Sequence, residues 1–241
     1  MDIYRVQSFS EAVEGNAYPG RGIVVGETPD GTKAAAAYFI MGRSVNSRNR
    51  VFVEKDGVIY TEPFDMSKLT DPSLIIYAAV RQAGSHLIVT NGNQTDTIAG
   101  GLSAGKDFHE ALKSREFEPD APNFTPRISA EIEFGEQAGF VYRMSILKSA
   151  DAEGSACNRF GYDYAPVPGL GHFIHTYECD GNPLPTFQGE PTRVAVPDSI
   201  DAFADEIWNA LNEDNKISLY VVYTDLSSGE TESRLFNKYT K

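Results

Sequence analysis

Apolar positions along this chain fall into short runs separated by turn residues, and most of the runs come in pairs. Arg21–Glu27 (RGIVVGE) and Lys33–Met41 (KAAAAYFIM) flank Pro29-Asp30-Gly31. Proline at the first central turn position with glycine closing the turn predicts a β-hairpin. A second hairpin is expected from 50–54 and 58–61, reversing at Asp56-Gly57. The run 86–90 reads as a strand ending in the polar turn Asn91-Gly92-Asn93. Strands are expected again over 128–134, 140–147 and 173–178, and a closing hairpin over 217–224 and 232–238. Helical signals interrupt this series. Ser8 and Glu11 have capping-box spacing, for a short helix reaching about Gly15. Asp71-Pro72 is an N-cap acid followed by proline, which predicts a helix over 71–84 carrying Ile75, Tyr77, Ala78 and Val80. Two more are expected over 107–115 and 198–211, the latter with Ile200, Phe203, Ile207 and Leu211 inward. Residues 150–168 read as a long polar loop.

Hairpins interrupted by helices are not the strict β-α-β alternation of a Rossmann or barrel enzyme, so one α+β domain spanning 1–241 is expected. Composition narrows the class. With 41% hydrophobic and 23% charged residues, the chain is neither disordered nor fibrous. Its formal net charge of -13 repels nucleic acid and anionic lipid, so an anionic ligand needs a local basic cluster. Residues 1–5 lack a signal-peptide pattern, and no run approaches the roughly 20 apolar residues of a membrane helix. Cys157 and Cys179 are too few for a disulfide framework or a four-thiolate zinc site. A reduced, cytoplasmic protein without bound metal is the expectation.

Several segments could carry chemistry. Gly101-Leu102-Ser103-Ala104-Gly105 matches the nucleophile elbow of serine hydrolases, but the nearest expected strand ends well before Ser103, so a glycine-rich loop is the plainer reading. His172 and His175 lack the acid and third ligand of a zinc site. No phosphate-binding glycine loop is present. Arg43, Arg48 and Arg50 fall within eight residues, among Ser44, Asn46, Ser47 and Asn49. Guanidinium forks beside short polar donors suit a phosphate monoester, although a solvated hairpin loop accounts for the composition equally well. The stretch 89–97 (VTNGNQTDT) offers hydroxyl and carboxamide donors, or an Asx-type turn satisfying its own backbone. Glu118 and Asp120 precede Arg127, for which a salt bridge is the bland alternative.

Taken in order, YPGRG (18–22), RSVNSRNR (43–50), the tyrosine of LIIYAAVR (Tyr77), TNGNQTDTI (90–98), FEPD (117–120), TPRI (125–128) and HTYECDGNPLPTFQGEP (175–191) resemble the archaeal-type inosine monophosphate cyclohydrolases and their bacterial relatives. The segment before Tyr18 and the loop near 150–170 depart from the shorter archaeal pattern. The resemblance implies a four-layer α-β-β-α sandwich of antiparallel sheets, like the N-terminal-nucleophile hydrolases but without self-cleavage. It implies closure of a purine ring: 5-formamidoimidazole-4-carboxamide ribonucleotide loses water and becomes IMP, with no cofactor and no metal, and it suggests a homo-oligomer. Carried over by position, Arg50 faces the developing oxyanion or substrate carbonyl. Tyr77 moves a proton, and Glu118 orients the carboxamide or acts as base. Arg43 and Ser44 are assigned to the phosphate end; Asn91, Thr125 and Arg127 complete the nucleotide-binding donors. Two other readings stay open: a serine hydrolase or amidase built on Ser103, and a non-catalytic purine-nucleotide-binding protein.

Overall fold

Strand β1 (Arg21–Glu27) is buried along its whole length, and β2 (Lys33–Met41) along nearly all of it. This is why their sequences read as continuous apolar runs: both faces of a central strand are covered. The computed structural model describes residues 2, 4–68, 75–135 and 139–239. Its remaining strands are β3 (Val51–Lys55), β4 (Val58–Glu62), β5 (Tyr77–Ala83), β6 (His86–Thr90), β7 (Arg127–Phe134), β8 (Phe140–Ser149), β9 (Cys157–Tyr164), β10 (Leu170–His175), β11 (Thr192–Ala195), β12 (Lys216–Asp225) and β13 (Thr231–Asn237). They form two sheets of antiparallel neighbours, one ordered β11-β10-β1-β2-β12-β13 and the other β3-β4-β5-β6-β7-β8-β9.

Alternation along β1 and β2 divides their side chains between two cores. Ile23, Val25, Ala36, Tyr38 and Ile40 meet Phe52, Ala79, Val89, Ile128, Ala130 and Met144 of the second sheet. Val24, Ala35, Ala37 and Phe39 point the other way, onto α1 (Phe9–Ala12) and α5 (Ile200–Ala210) through Phe9, Phe203 and Ile207. A smaller cluster covers the outer face of the second sheet, where Ile88 and Leu147 meet α3 (Gln94–Ser103) and α4 (Phe108–Ala111) through Ile98 and Phe108. The class is α+β with two large antiparallel sheets, and the packing is compatible with the expected α-β-β-α layering.

Three sequence expectations need correction. The helix expected over 71–84 is strand β5 from Tyr77 onward, paired with β4 and β6; residues 71–74 lie outside those described. Tyr77 and Ala79 point between the sheets, and the segment's apolar spacing fits either period, so pairing with both neighbours decided it. The loop expected over 150–168 contains β9, an edge strand with largely exposed side chains and therefore no apolar alternation to read. Residues 91–93 keep the expected turn, but the rest of the polar stretch and the start of the glycine-rich run, Gln94–Ser103, form α3. Gly101 serves a close approach there, because a Cβ would come within 2.5 Å of the Ala111 Cβ in α4. A short helix, α2 (Val45–Arg48), and strand β11 were not anticipated.

Two buried histidines link this core to pH. His172 lies 2.6 Å from the Tyr142 hydroxyl through Nδ1 and stacks on Tyr164, while His175 donates from Nδ1 to the Tyr177 carbonyl at 2.8 Å. Burial pushes each down to about 4. An unfolded histidine takes up a proton near 6.5. The folded state therefore stays neutral while the unfolded state charges, and stability present above pH 6.5 is lost progressively as the pH falls toward 4. The urea midpoint should drop between pH 6.5 and 5, and drop less in His172→Gln/His175→Gln. Parallel curves for parent and variant would count against this origin.

Candidate functional site

A cavity of about 330 Å³ opens among three segments: the turn carrying α2, the stretch around residues 118–125, and the loop from Tyr177 to Leu184. The first wall depends on Gly42, where a Cβ would sit 2.6 Å from the Ser47 carbonyl group. Ser44 caps α2 reciprocally: its Oγ accepts from the Ser47 amide at 3.1 Å, and the Ser47 Oγ accepts from the Ser44 amide at 2.9 Å. The three arginines of this stretch have separate employments. Arg48 donates to the Gly42 carbonyl and to Asn215 Oδ1, each at 3.0 Å, so it holds the turn itself. Arg43 lies over the Tyr18 ring, pairs with Asp180 and donates to the Gly181 carbonyl at 2.8 Å. Arg50 is buried against the cavity with its Nε–H unpaired among the described residues.

The opposite wall is a chain of buried polar groups. Asn91 donates to the Pro126 carbonyl at 2.8 Å and accepts from the Ile128 amide at 2.9 Å and from Gln94 Nε2 at 3.0 Å. Gln94 Oε1 in turn accepts from Arg127 Nη1 at 2.8 Å, and that guanidinium stands 3.9 Å from the Glu118 carboxylate. A Cβ at Gly92 would meet Arg127 Nη1 at 2.4 Å and Gln94 Oε1 at 2.7 Å and so would displace that hydrogen-bonded pair. Glu118 is also fixed through its backbone, which donates to the Thr125 carbonyl at 2.9 Å. Thr125 bonds Asp120 through its amide and hydroxyl, and its hydroxyl lies 2.6 Å from the Tyr177 hydroxyl.

Of the residues singled out from the sequence, Arg43, Ser44, Arg50, Glu118 and Thr125 line the cavity. Asn91 and Arg127 stand behind the wall and hold Glu118 and its neighbours. Tyr77 is buried beside them rather than on the lining, with its hydroxyl 2.9 Å from that of Tyr38. Sequence reasoning gave no role to Arg21, Tyr18, Asp120 or Tyr177, all of which line the cavity. A signal for Arg21 was available, since it is the lone cation of β1 and directly precedes the apolar run 22–26. Ser103 belongs elsewhere: it closes α3, donates to the Ala99 carbonyl at 2.9 Å and lines a separate surface hollow.

Electrostatics in the cavity are dominated by desolvation. Burial pushes the Glu118 carboxyl above the usual carboxylate range, against the opposing pull of Arg21, Arg127 and Arg50. Burial and the neighbouring Arg21 charge lower Arg50. Burial also opposes the charge of Arg21, but Tyr177, Tyr18 and Glu118 outweigh it and the guanidinium stays firmly protonated. Tyr177 is pushed up to about 12 by burial, and Tyr38 is raised well above the ordinary phenol by burial and by Tyr77.

Arginines around a buried carboxylate, with tyrosine hydroxyls in reach, are the donor and acceptor groups that suit a small anionic molecule. A family model described as IMP cyclohydrolase-like protein matches residues 18–230, and the chain belongs to that family. A protein named IMP cyclohydrolase from Methanopyrus kandleri is 33% identical over 184 residues, covering 71% of this chain and 89% of that protein. Another of that name from Haloquadratum walsbyi is 27% identical over 150 residues, covering 61% and 72%. A third, from Methanococcus aeolicus, is 29% identical over 168 residues, covering 67% and 75%.

Two outcomes follow from the positions of Asp180 and Ser103. Asp180 occupies Arg43 as an internal anion, so Asp180→Asn should tighten binding of a nucleoside monophosphate severalfold by calorimetry. Unchanged or weaker affinity would remove Arg43 from the ligand's reach. Ser103→Ala should leave turnover within about threefold of the parent, because Ser103 lacks the strand-to-helix setting of an elbow nucleophile. A thousandfold loss would restore the hydrolase reading.

Proposed function

We propose that this protein is an IMP cyclohydrolase, closing 5-formamidoimidazole-4-carboxamide ribonucleotide to IMP with loss of water. The observation that carries this reading is the convergence of Arg21, Arg50 and Arg127 on the single buried carboxylate of Glu118 at a nucleotide-sized cavity, in a chain of this family. The carboxamide nitrogen attacks the formyl carbon of the same molecule. A carbon–nitrogen bond forms as the carbonyl electron pair moves onto oxygen, and a proton passes from the attacking nitrogen to that oxygen. The resulting carbinolamine then loses hydroxide from carbon and a proton from the former formamide nitrogen, which together leave as water. Because both reacting groups share one molecule, much of the acceleration comes from holding the attack conformer.

In this reading Arg50 faces the oxygen that gains charge. Glu118 takes the proton from the attacking nitrogen, and its raised carboxyl suits a base that must later return a proton. Tyr77, paired with Tyr38, helps deliver a proton to the departing hydroxyl. Arg43 and Ser44 take the phosphate at the rim once Arg43 leaves Asp180, and Thr125 binds the nucleotide beside them. Asn91 and Arg127 act by holding the wall. The wider reading assigns 1–241 to one domain with an N-terminal-nucleophile-hydrolase-like sandwich, working in the cytoplasm as a homo-oligomer. Its substrate is a purine ribonucleotide, and the chain's acidity makes nucleic acid an unfavourable partner. No described helix is long and apolar enough to cross a membrane.

The test is steady-state appearance of IMP from the formylated ribonucleotide. Arg50→Ala should lose on the order of 10²–10³ in kcat, whereas Arg43→Ala should mainly raise KM because a phosphate contact is made equally in ground and transition states. Arg50→Lys should not rescue, since an ammonium lacks the planar fork. A change in KM alone for Arg50→Ala would refute its role. The parent's kcat/KM should fall on the acid side with a midpoint above the ordinary glutamate value of about 4.3, because the base must be ionised and its carboxyl is raised. Glu118→Gln should be slow and lack that limb.

A further inference from the structure

The base of the cavity contains more positive charge than its own residues neutralise. Arg21 and Arg50 are both buried, 7% exposed each, and both line the cavity. The Nε–H of each is buried without a hydrogen-bond partner, and neither forms an ion pair with a carboxylate among the described residues. The ion pair of Glu118 is with Arg127, and Asp120 is taken up by Thr125. A buried guanidinium left unpaired is costly, and two that repel each other are more so. Such an arrangement persists where a ligand's oxygen supplies the missing acceptor.

Arg21 is also held more tightly than an incidental strand residue needs to be. Its amide donates to Thr176 Oγ1 at 3.1 Å, and its carbonyl accepts from the Thr176 amide at 3.0 Å. Gly20, at φ +81°, lets the chain pass so close that a Cβ would fall 2.2 Å from Thr176 Oγ1 and 2.5 Å from the Tyr177 ring. The backbone is thus fixed on both sides while the guanidinium faces the cavity with an unused donor.

The geometry points to Arg21 as a second catalytic arginine, which together with Arg50 makes a two-armed seat for the charge on the formyl oxygen during ring closure. This rests on the cyclohydrolase reading and extends it by a residue. The two guanidiniums approach from different sheets, Arg21 opening β1 and Arg50 leading into β3, so their donors can converge on one oxygen from two directions. Phosphate is left to the rim, where Arg43 and Ser44 stand. The seat stabilises charge that exists only after the carbon–nitrogen bond has begun to form, so its loss appears in kcat. Arg21 has a second effect through Glu118. The groups facing that carboxyl are Arg21, Arg127 and Arg50, which favour its ionised form, and Asp120, which opposes it; Arg21 is the strongest of the cations.

Kinetics of Arg21→Gln and Arg21→Lys beside the parent decide the matter, with folding followed by circular dichroism and thermal melting. Arg21→Gln should lose on the order of 10²-fold or more in kcat with KM within about threefold. The acid limb of its kcat/KM profile should move to higher pH, a shift that a purely structural role would not produce. Arg21→Lys should keep the limb near the parental position but recover less than a tenth of the parental kcat. If Arg21→Gln does not fold, the lysine variant decides by its kcat alone. A parental kcat in either folded variant, or a loss confined to KM, overturns the role of Arg21 while leaving the cyclohydrolase reading intact. Absence of IMP formation by the parent overturns both.

Discussion

The chain's central constraint is the burial of several guanidiniums around one carboxylate at the rim of a two-sheet sandwich. Strand order explains how they meet. In the run β3-β4-β5-β6-β7, with every neighbour antiparallel, β3, β5 and β7 point the same way, so their first residues share one rim. Arg50 precedes β3, Tyr77 opens β5 and Arg127 opens β7. Arg21 opens β1 in the facing sheet and lines the same cavity as Arg50 and Glu118. Further along these strands the inward side chains, among them Ile23, Val25, Phe52, Ala79, Ile128 and Ala130, fill the intersheet core. One topological fact therefore separates the work of a strand: the body holds the sheets together, and the first residue brings charge to the site.

Assembling such a cluster costs stability, because buried charges lose water and regain little until every donor is matched. The scaffold reduces what the cluster must carry. Arg127 is satisfied by Gln94, Gln94 by Asn91, and Asn91 by the backbone on both sides of Arg127. Arg21 and Arg50 are left with unpaired donors. That division fits the distinction between groups that hold a wall and groups that meet a ligand, since an unsatisfied buried donor is tolerated mainly where function requires it.

Much of this was legible in the sequence, and the failures have physical causes. The β1–β2 hairpin could be read because its turn chemistry is local and its apolar runs are long. The motifs around Arg43, Arg50, Glu118 and Thr125 named residues that do share a cavity. The helix expected to carry Tyr77 failed because Asp71-Pro72 reads as a helix start and the apolar spacing after it fits either period, while pairing with β4 and β6 makes the segment a strand. Strand β9 was invisible because an edge strand need not bury an alternating face. Helix α3 was missed because its glycines, one of which admits Ala111, look like a loop when read without α4. Arg21 escaped notice for a related reason. Its backbone partner Thr176 lies 155 residues away along the chain.

Charge in this protein acts at two ranges with opposite signs. A net charge of -13 repels an anionic nucleotide at a distance, yet the cavity floor is cationic. At physiological ionic strength the distant term is damped beyond about 8 Å, whereas buried guanidiniums are screened far less. Selectivity therefore resides in the last few ångströms. Asp180 sits at that boundary, half-exposed and paired with the rim arginine. In the reading proposed above, an anion at the rim exchanges with this carboxylate, so entry replaces one ion pair by another. Arg21 and Arg50 have no such internal substitute among the described residues. Only a ligand that extends past the rim to the cavity floor can complete them, which favours a long molecule carrying its phosphate at one end and a polarisable carbonyl at the other.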